Sequence, residues 1–449
     1  MSSTIQLKDY SKSATHKSAK LIGGVLMAVG AMCVIPIMGE SIVRFWHGYL
    51  IMYMFLLSIG LGALFFIALD YLVGAKWSVP IRRVTEILTG MVPAAAILAI
   101  PILVGGMDHL YSHWVHASDY VHEVKVDGHT KTSHDVVKDA HAKTEHTSKD
   151  SHAKSEHKSD DSSHKKEAAH HAPDKIIMGK TPYLNKNFFV LRYFIFFGIW
   201  IAAIMFFRKN SLAQDHDDDQ KYTMYNTTLS APFIFIFGLT LSMAAIDWIM
   251  SLEPHWFSTM FGLYYFSGCL VAASSCIAIY TIRLKEGGFL HPDMKKDTYY
   301  SIGLMMFAFN VFWTYISFSQ FILIWYANLP EETFWYAARA DKGWMCFSLF
   351  LLVFHFVIPF FALLSRDIKT RPSRLMFMAK WLLLAQIFDM YWAIMPAARL
   401  DVNFGLLDLG FIAFAAGVVI TVFDRGAATT QLVPLNDPRL KVGLEFRAH

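Results

Sequence analysis

Charge and cysteine are both scarce in this chain. Of its 449 residues only 17% are Asp, Glu, Lys or Arg, and four are cysteine. So little charge argues against a soluble domain, whose surface must be solvated. Cys33, Cys269, Cys276 and Cys346 all fall in apolar stretches without CxxC or CxxCH spacing. That excludes the usual patterns of iron–sulfur ligation and covalent haem attachment, and the thiols read as small packing residues. Deep inside an apolar stretch there is a single histidine, His355, where a bis-histidine haem b site needs two. No metal site is therefore expected.

What the chain has instead is long apolar runs. Apolar residues make up 55% of it, and the mean hydropathy is +0.36. Stretches able to cross roughly 30 Å of hydrocarbon lie at 21–41, 49–73, 86–106, 188–207, 229–250, 259–283, 298–328, 342–364, 374–397 and 405–424. Unclosed segments satisfy their backbone in lipid only as helices, so the reading is an all-α integral membrane protein with ten transmembrane helices. Twenty-one Lys and Arg fall on the side of the N-terminus, against four in the short loops of the other side (Arg44, Arg339, Lys342, Arg399). Both tails, 1–20 and 425–449, are thus expected in the cytoplasm. The net charge of +4 follows from this bias and makes no case for nucleic acid. No small-residue cleavage pattern follows the first apolar run, which reads as a retained anchor.

Between helices 1–3 (21–106) and helices 4–10 (188–424) lies a segment of another composition. Residues 107–187 hold thirteen histidines and a repeat of period eleven, AHAKTEHTSKD then SHAKSEHKSDD. With hardly an aliphatic residue between 127 and 172, it is expected to be a largely disordered outward loop. Its histidines lack the fixed spacing of a closed metal site, so solvated chain is favoured over a metal-binding tract.

An ionisable group in hydrocarbon is costly and is a functional candidate by default. The candidates are Asp247, Asp389, His355 and Lys380, the last within snorkelling reach of an interface. Helical spacing puts Thr240, Ala244, Asp247 and Ser251 on one face, Asn310, Thr314 and Ser317 on another, and Gln386, Asp389, Ala393 and Pro396 on a third. These faces should look into a bundle. Packing and interhelical hydrogen bonding would explain the Ser, Thr and Asn positions, whereas a carboxylate has a cheaper substitute in Asn if only packing matters. DWIMSLEP at 247–254 and DMYWAIMP at 389–396 share an aspartate followed seven residues later by proline, 142 residues apart. That pattern predicts two four-helix bundles, spans two to five and six to nine, with two flanking helices. At the outward surface Glu40, Arg44, His47, Glu253, His255, Arg399, Asp401 and Asp408 should gather near the two aspartates.

The stretch DWIMSLEPHWFSTMFG, the ten spans and FDMYWAIMP resemble the ActF-type membrane subunit of bacterial alternative complex III, over most of residues 20–425. What this resemblance implies is a relative of the NrfD and PsrC membrane subunits in a bacterial inner membrane. It would stand in lipid beside a sister NrfD-like subunit, an iron–sulfur subunit and haem c subunits, within a quinol:cytochrome c oxidoreductase. Quinol, menaquinol for instance, would be oxidised near the periplasmic side and electrons would leave through other chains. Asp247 and His255 are then the expected proton acceptor and orienting group, with Glu253 passing protons outward. In a conduit reading His355, Asn310, Thr314, Ser317 and Gln386 lead to Asp389 and Asp247. The rivals are a secondary transporter and a structural scaffold.

Overall fold

A computed structural model describes residues 8–34, 41–116, 175–217 and 219–447. They fall into two compact units, one from the chain up to Tyr111 and from Phe189 onward, the other between Ser112 and Phe188. The smaller unit contributes the short helices Ser112–Val115 and Lys175–Lys180. Asn185 Oδ1 accepts from the amide of Phe188 at 2.8 Å and so caps the helix that follows. Most of the His-rich segment, and Glu40, lie outside the described residues.

The larger unit is helical, and ten helices among the described residues are long and apolar enough to span a membrane. They are α1 (Ala14–Val34), α2 (Ile42–Leu72), α3 (Val79–Leu110), α4 (Lys186–Ala213), α5 (Lys221–Leu252), α6 (Phe261–Glu286), α7 (Lys296–Ala327), α8 (Trp344–Leu364), α9 (Pro372–Ala398) and α10 (Leu406–Ala428). Every expected span is present. Helix α2 begins seven residues before the apolar run, so Arg44 and His47 belong to its first turns and not to a loop. Local chemistry sets the ends: Ser41 caps α2, Pro372 occupies the first turn of α9, and Asn328 closes α7 at a left-handed φ of 49°.

Packing divides the helices as the repeated aspartates predict. In one set α2 packs on α3 and α5. Helix α4 is tied to α3 by Tyr193 donating to the Ala96 carbonyl at 2.7 Å, and to α5 by Trp200 Nε1 donating to Thr240 at 3.0 Å. In the other set α6, α7, α8 and α9 pack in a ring. The sets share the seam of α2 and α5 against α6, and of α2 against α9. At the α2–α6 crossing a Cβ on Gly62 would sit 2.1 Å from the Cys269 carbonyl, so only glycine admits this approach. Helix α1 lies along α10, where Gly30 and Gly410 bring the backbones together.

Up-and-down connectivity brings the ends of α5 and α9 to one face of the unit, and both tails to the other. Both aspartates stand near the end of their helix, followed by a 3₁₀ turn, Met250–Leu252 and Met395–Ala398. Helix α8 contains a π-helical turn, Leu352–Val357, that carries His355. Such turns displace a side chain from the regular helical face and recur at functional sites.

Candidate functional site

The three polar faces predicted from spacing do turn inward: Thr240, Asp247, Ser251, Asn310, Gln386 and Asp389 are buried, and Thr314 and Ser317 half-buried. The two aspartates nevertheless live in different surroundings. Asp247 is gripped by Arg192 of α4, with Nε to Oδ2 at 2.7 Å and Nη2 to Oδ1 at 3.0 Å. Both side chains are about as buried as each other, 3% exposed. A planar guanidinium donating two parallel bonds is the strongest partner a carboxylate finds in a protein. Around the pair, Tyr111 donates to the Trp248 carbonyl at 2.8 Å, Ser251 donates to the Asp247 carbonyl at 2.5 Å, and the Tyr53 ring lies 4.8 Å from that of Trp248. Sequence reasoning missed Arg192, which sits near the start of an apolar run where a basic residue reads as an interfacial anchor.

Among the described residues Asp389 has neutral partners only. It accepts from the Tyr264 hydroxyl, from Trp313 Nε1 at 3.1 Å and from Gln386 Nε2 at 3.4 Å. Tyr264 comes from α6, Trp313 from α7 and Gln386 from α9, so three helices of one bundle converge on it. Helix α8 supplies the fourth wall: the His355 ring stacks on Trp313, centroids 3.7 Å apart. His355, Asn310 and Gln386 are wholly buried, yet both ring nitrogens of His355, both amide atoms of Asn310 and Oε1 of Gln386 lack hydrogen-bond partners among the described residues. Buried polar groups are nearly always satisfied in folded proteins. This cluster is thus a place where water or a ligand group would be held.

Beside the cluster opens a cavity of about 870 Å³. Its walls are largely Phe318, Phe321, Trp325, Leu349, Leu352 and Phe356 of α7 and α8. The first five are exposed apolar side chains, so the cavity continues into the lipid-facing surface of the unit. Its polar contributors include Asp389, Tyr264, Trp313, Ser317, Tyr336 and Arg339. An apolar cleft with a few convergent polar groups is the general form of a small-molecule site.

Towards the end of α9 the short helix Pro330–Ala338 folds back over the bundle and buries Trp335 and Arg339. Arg339, expected in an outward loop, is 2% exposed. Glu253 is buried and pairs with the exposed Arg399 at 3.2 Å. His255 is half-buried in the turn that follows, and Arg44 of α2 pairs with Asp408 of α10 at 2.8 Å. The convergence expected at this face is therefore real in part, though Asp401 is exposed. Lys380 is also exposed, as a snorkelling residue would be.

A second charged cluster, at the face of the tails, was read only as loop bias. Arg82 bonds Asp437 at 2.5 Å; Arg83 bonds Glu86 at 2.9 Å and Asp215 at 2.6 Å; Ser211 donates to Glu86 at 2.5 Å. Burial alone would raise the Asp437 carboxyl, but Arg82 and Arg439 outweigh it and hold the group below its usual range. This network clamps the segment after α10 against α3 and α4. Among the described residues no group of His, Cys, Asp and Glu has the arrangement of a metal site.

No protein-family model matches the chain, and no curated protein matches it either. The fold and site alone define the class: an all-α, multi-pass membrane protein with a lipid-facing cavity built on a buried carboxylate.

Proposed function

We propose that the chain is the membrane subunit of a respiratory quinol oxidoreductase, and that the cavity of the second bundle receives the ring of a lipid-borne quinol. The observation that carries this reading is the placement of Asp389, a carboxylate with no cation partner among the described residues, at the wall of a largely apolar cavity that opens towards lipid. A quinol reaches its site from the membrane, needs an apolar enclosure for its ring, and must give up hydroxyl protons as its electrons leave. Asp389 would accept the proton of the hydroxyl it faces, with Tyr264 completing the hydrogen bond. His355, Asn310 and Gln386 would hold the waters that carry protons onward. Each quinol releases two protons and two electrons. The electrons would pass to an iron–sulfur or haem centre on a partner chain, since this sequence has no ligand pattern for either. The sister NrfD-like, iron–sulfur and haem c subunits, a bacterial inner membrane and cytoplasmic tails all belong to this proposal.

In this assignment Asp389 replaces Asp247 as acceptor, because Arg192 already occupies the Asp247 carboxylate. The test is purification from native membranes in mild detergent through a tag on the C-terminal tail, followed by a haem spectrum and a quinol:acceptor assay. Co-eluting haem c, with quinol oxidation lost in Asp389→Asn, supports the reading. A colourless, stable chain without quinol activity refutes it and favours a transporter.

A further inference from the structure

Among the described residues Arg339 is the one cation that lines the cavity, and its surroundings are unusual. The guanidinium lies flat on Trp335, its carbon 3.2 Å from the ring centroid, with Trp392 on another side at 5.1 Å. Its bonds go to main-chain carbonyls: Nη1 to Trp335 at 2.8 Å, Nη2 to Ala393 at 2.8 Å, and Nε to Trp392 at 3.2 Å. An arginine has five N–H groups, and these carbonyls take three of them. Among the described residues it forms no ion pair, and the acid in its neighbourhood, Glu253, pairs with Arg399. Burial lowers the pKa of Arg339 to about 9, against the opposing pull of Glu253. The group is therefore still charged at neutral pH.

A buried guanidinium with spare donors, at the wall of a largely apolar cavity, calls for an oxygen acceptor in the occupant. Asp389 lines the same cavity and asks for the opposite, a donor. Tyr264 links them, being bonded to Asp389 and within electrostatic reach of Arg339.

Building on the quinol reading, we propose that Arg339 holds the ring oxygen remote from Asp389, so that the cavity selects rings with two oxygens over single-headed amphiphiles. The hydroxyl donates to Asp389 while the second oxygen accepts from Arg339. Two donor–acceptor contacts of opposite sense also fix which hydroxyl is deprotonated first.

Two probes of nearly equal shape, kept under argon, separate the contacts: 4-methoxy-1-naphthol, which has the second oxygen, and 4-ethyl-1-naphthol, which does not. Binding is measured on the purified assembly in lipid nanodiscs. The wild type should favour the methoxy compound about tenfold or more, the size of one hydrogen bond to a charged group. Arg339→Met should erase that preference, whereas Asp389→Asn should weaken both probes and leave the preference in place. Arg339→Lys, which keeps a charge without the planar fork, should retain part of it and guards against a merely unfolded Met variant. If the wild type binds both probes equally, or Arg339→Met keeps the discrimination, the role of Arg339 is wrong while the cavity reading stands. If the wild type binds neither, the quinol reading itself falls and takes this inference with it.

Discussion

Replacing Asp247 with leucine takes a bidentate carboxylate away from the buried Arg192 guanidinium, and the structure gives the size of the penalty. The pair is bidentate, at 2.7 and 3.0 Å, and each side chain is 3% exposed, so water cannot take the place of the missing partner. Removing one member of such a pair costs about 3–5 kcal/mol, whereas replacing both by apolar side chains of similar volume is often neutral. Asp247→Leu and Arg192→Leu should therefore each lower the unfolding free energy by about that amount, roughly two to four powers of ten in the folding equilibrium. The double variant should recover most of the loss. The assay is an unfolding titration with sodium dodecyl sulfate in mixed micelles, followed by tryptophan fluorescence since Trp248 adjoins the pair, and combined as a double-mutant cycle. Quinol turnover is read on the same preparations: a stable double variant that still turns over makes the pair structural. Losses below about 1 kcal/mol for the single variants, or a double variant costing their sum, would refute the argument. A stable double variant that is inactive would return the proton-acceptor role to Asp247.

Three further outcomes follow from the same geometry. Asp389→Asn should lower quinol turnover by about 10²–10⁴, beyond its weakening of probe binding, the range expected for a lost general base, and Tyr264→Phe should fall between it and wild type in a steady-state assay. Gly62→Ala places a methyl 2.1 Å from the Cys269 carbonyl and should destabilise the α2–α6 seam by about 1–3 kcal/mol, seen as a lower melting temperature of the solubilised protein. Because the folded-state pKa of Asp437 is lowered, its contribution is complete above the unfolded value of about 3.9 and vanishes as pH falls through the folded value. The extra protection from proteolysis that wild type has over Asp437→Asn in the segment after α10 should accordingly disappear only below about pH 4, and its loss near neutrality would contradict the clamp.

The fold was legible because hydrocarbon leaves a chain few options. Ten apolar runs, read by length, matched ten helices, and the two Asp-x₆-Pro stretches anticipated two bundles with similar endings. What escaped was every feature that depends on which helices are neighbours. Arg192 looked like an anchor until α4 lay beside α5; Arg82 and Arg83 counted as loop charges until Asp215 and Asp437 arrived from distant segments. Arg339 was placed in a wet loop, since nothing in its local sequence says that Pro330–Ala338 folds back and covers it. The π-helical turn that carries His355 likewise has no period of its own in the hydrophobic pattern.

The two aspartates, equivalent in sequence, have been given opposite tasks by their partners. A carboxylate whose two oxygens are both engaged by a guanidinium is suited to hold α4 against α5. Asp389 faces Tyr264, Trp313 and Gln386, all neutral donors, and any change in its charge state is balanced by what enters the cavity or by the unsatisfied groups behind it. The arginine on that side, Arg339, is held by main-chain carbonyls and aromatic rings instead of by the carboxylate. The second bundle thus keeps its cation and its anion apart across a cavity, where the first has joined them. Separation leaves both groups available to a third molecule, and that difference, more than the presence of an aspartate, distinguishes a binding site from a structural clamp.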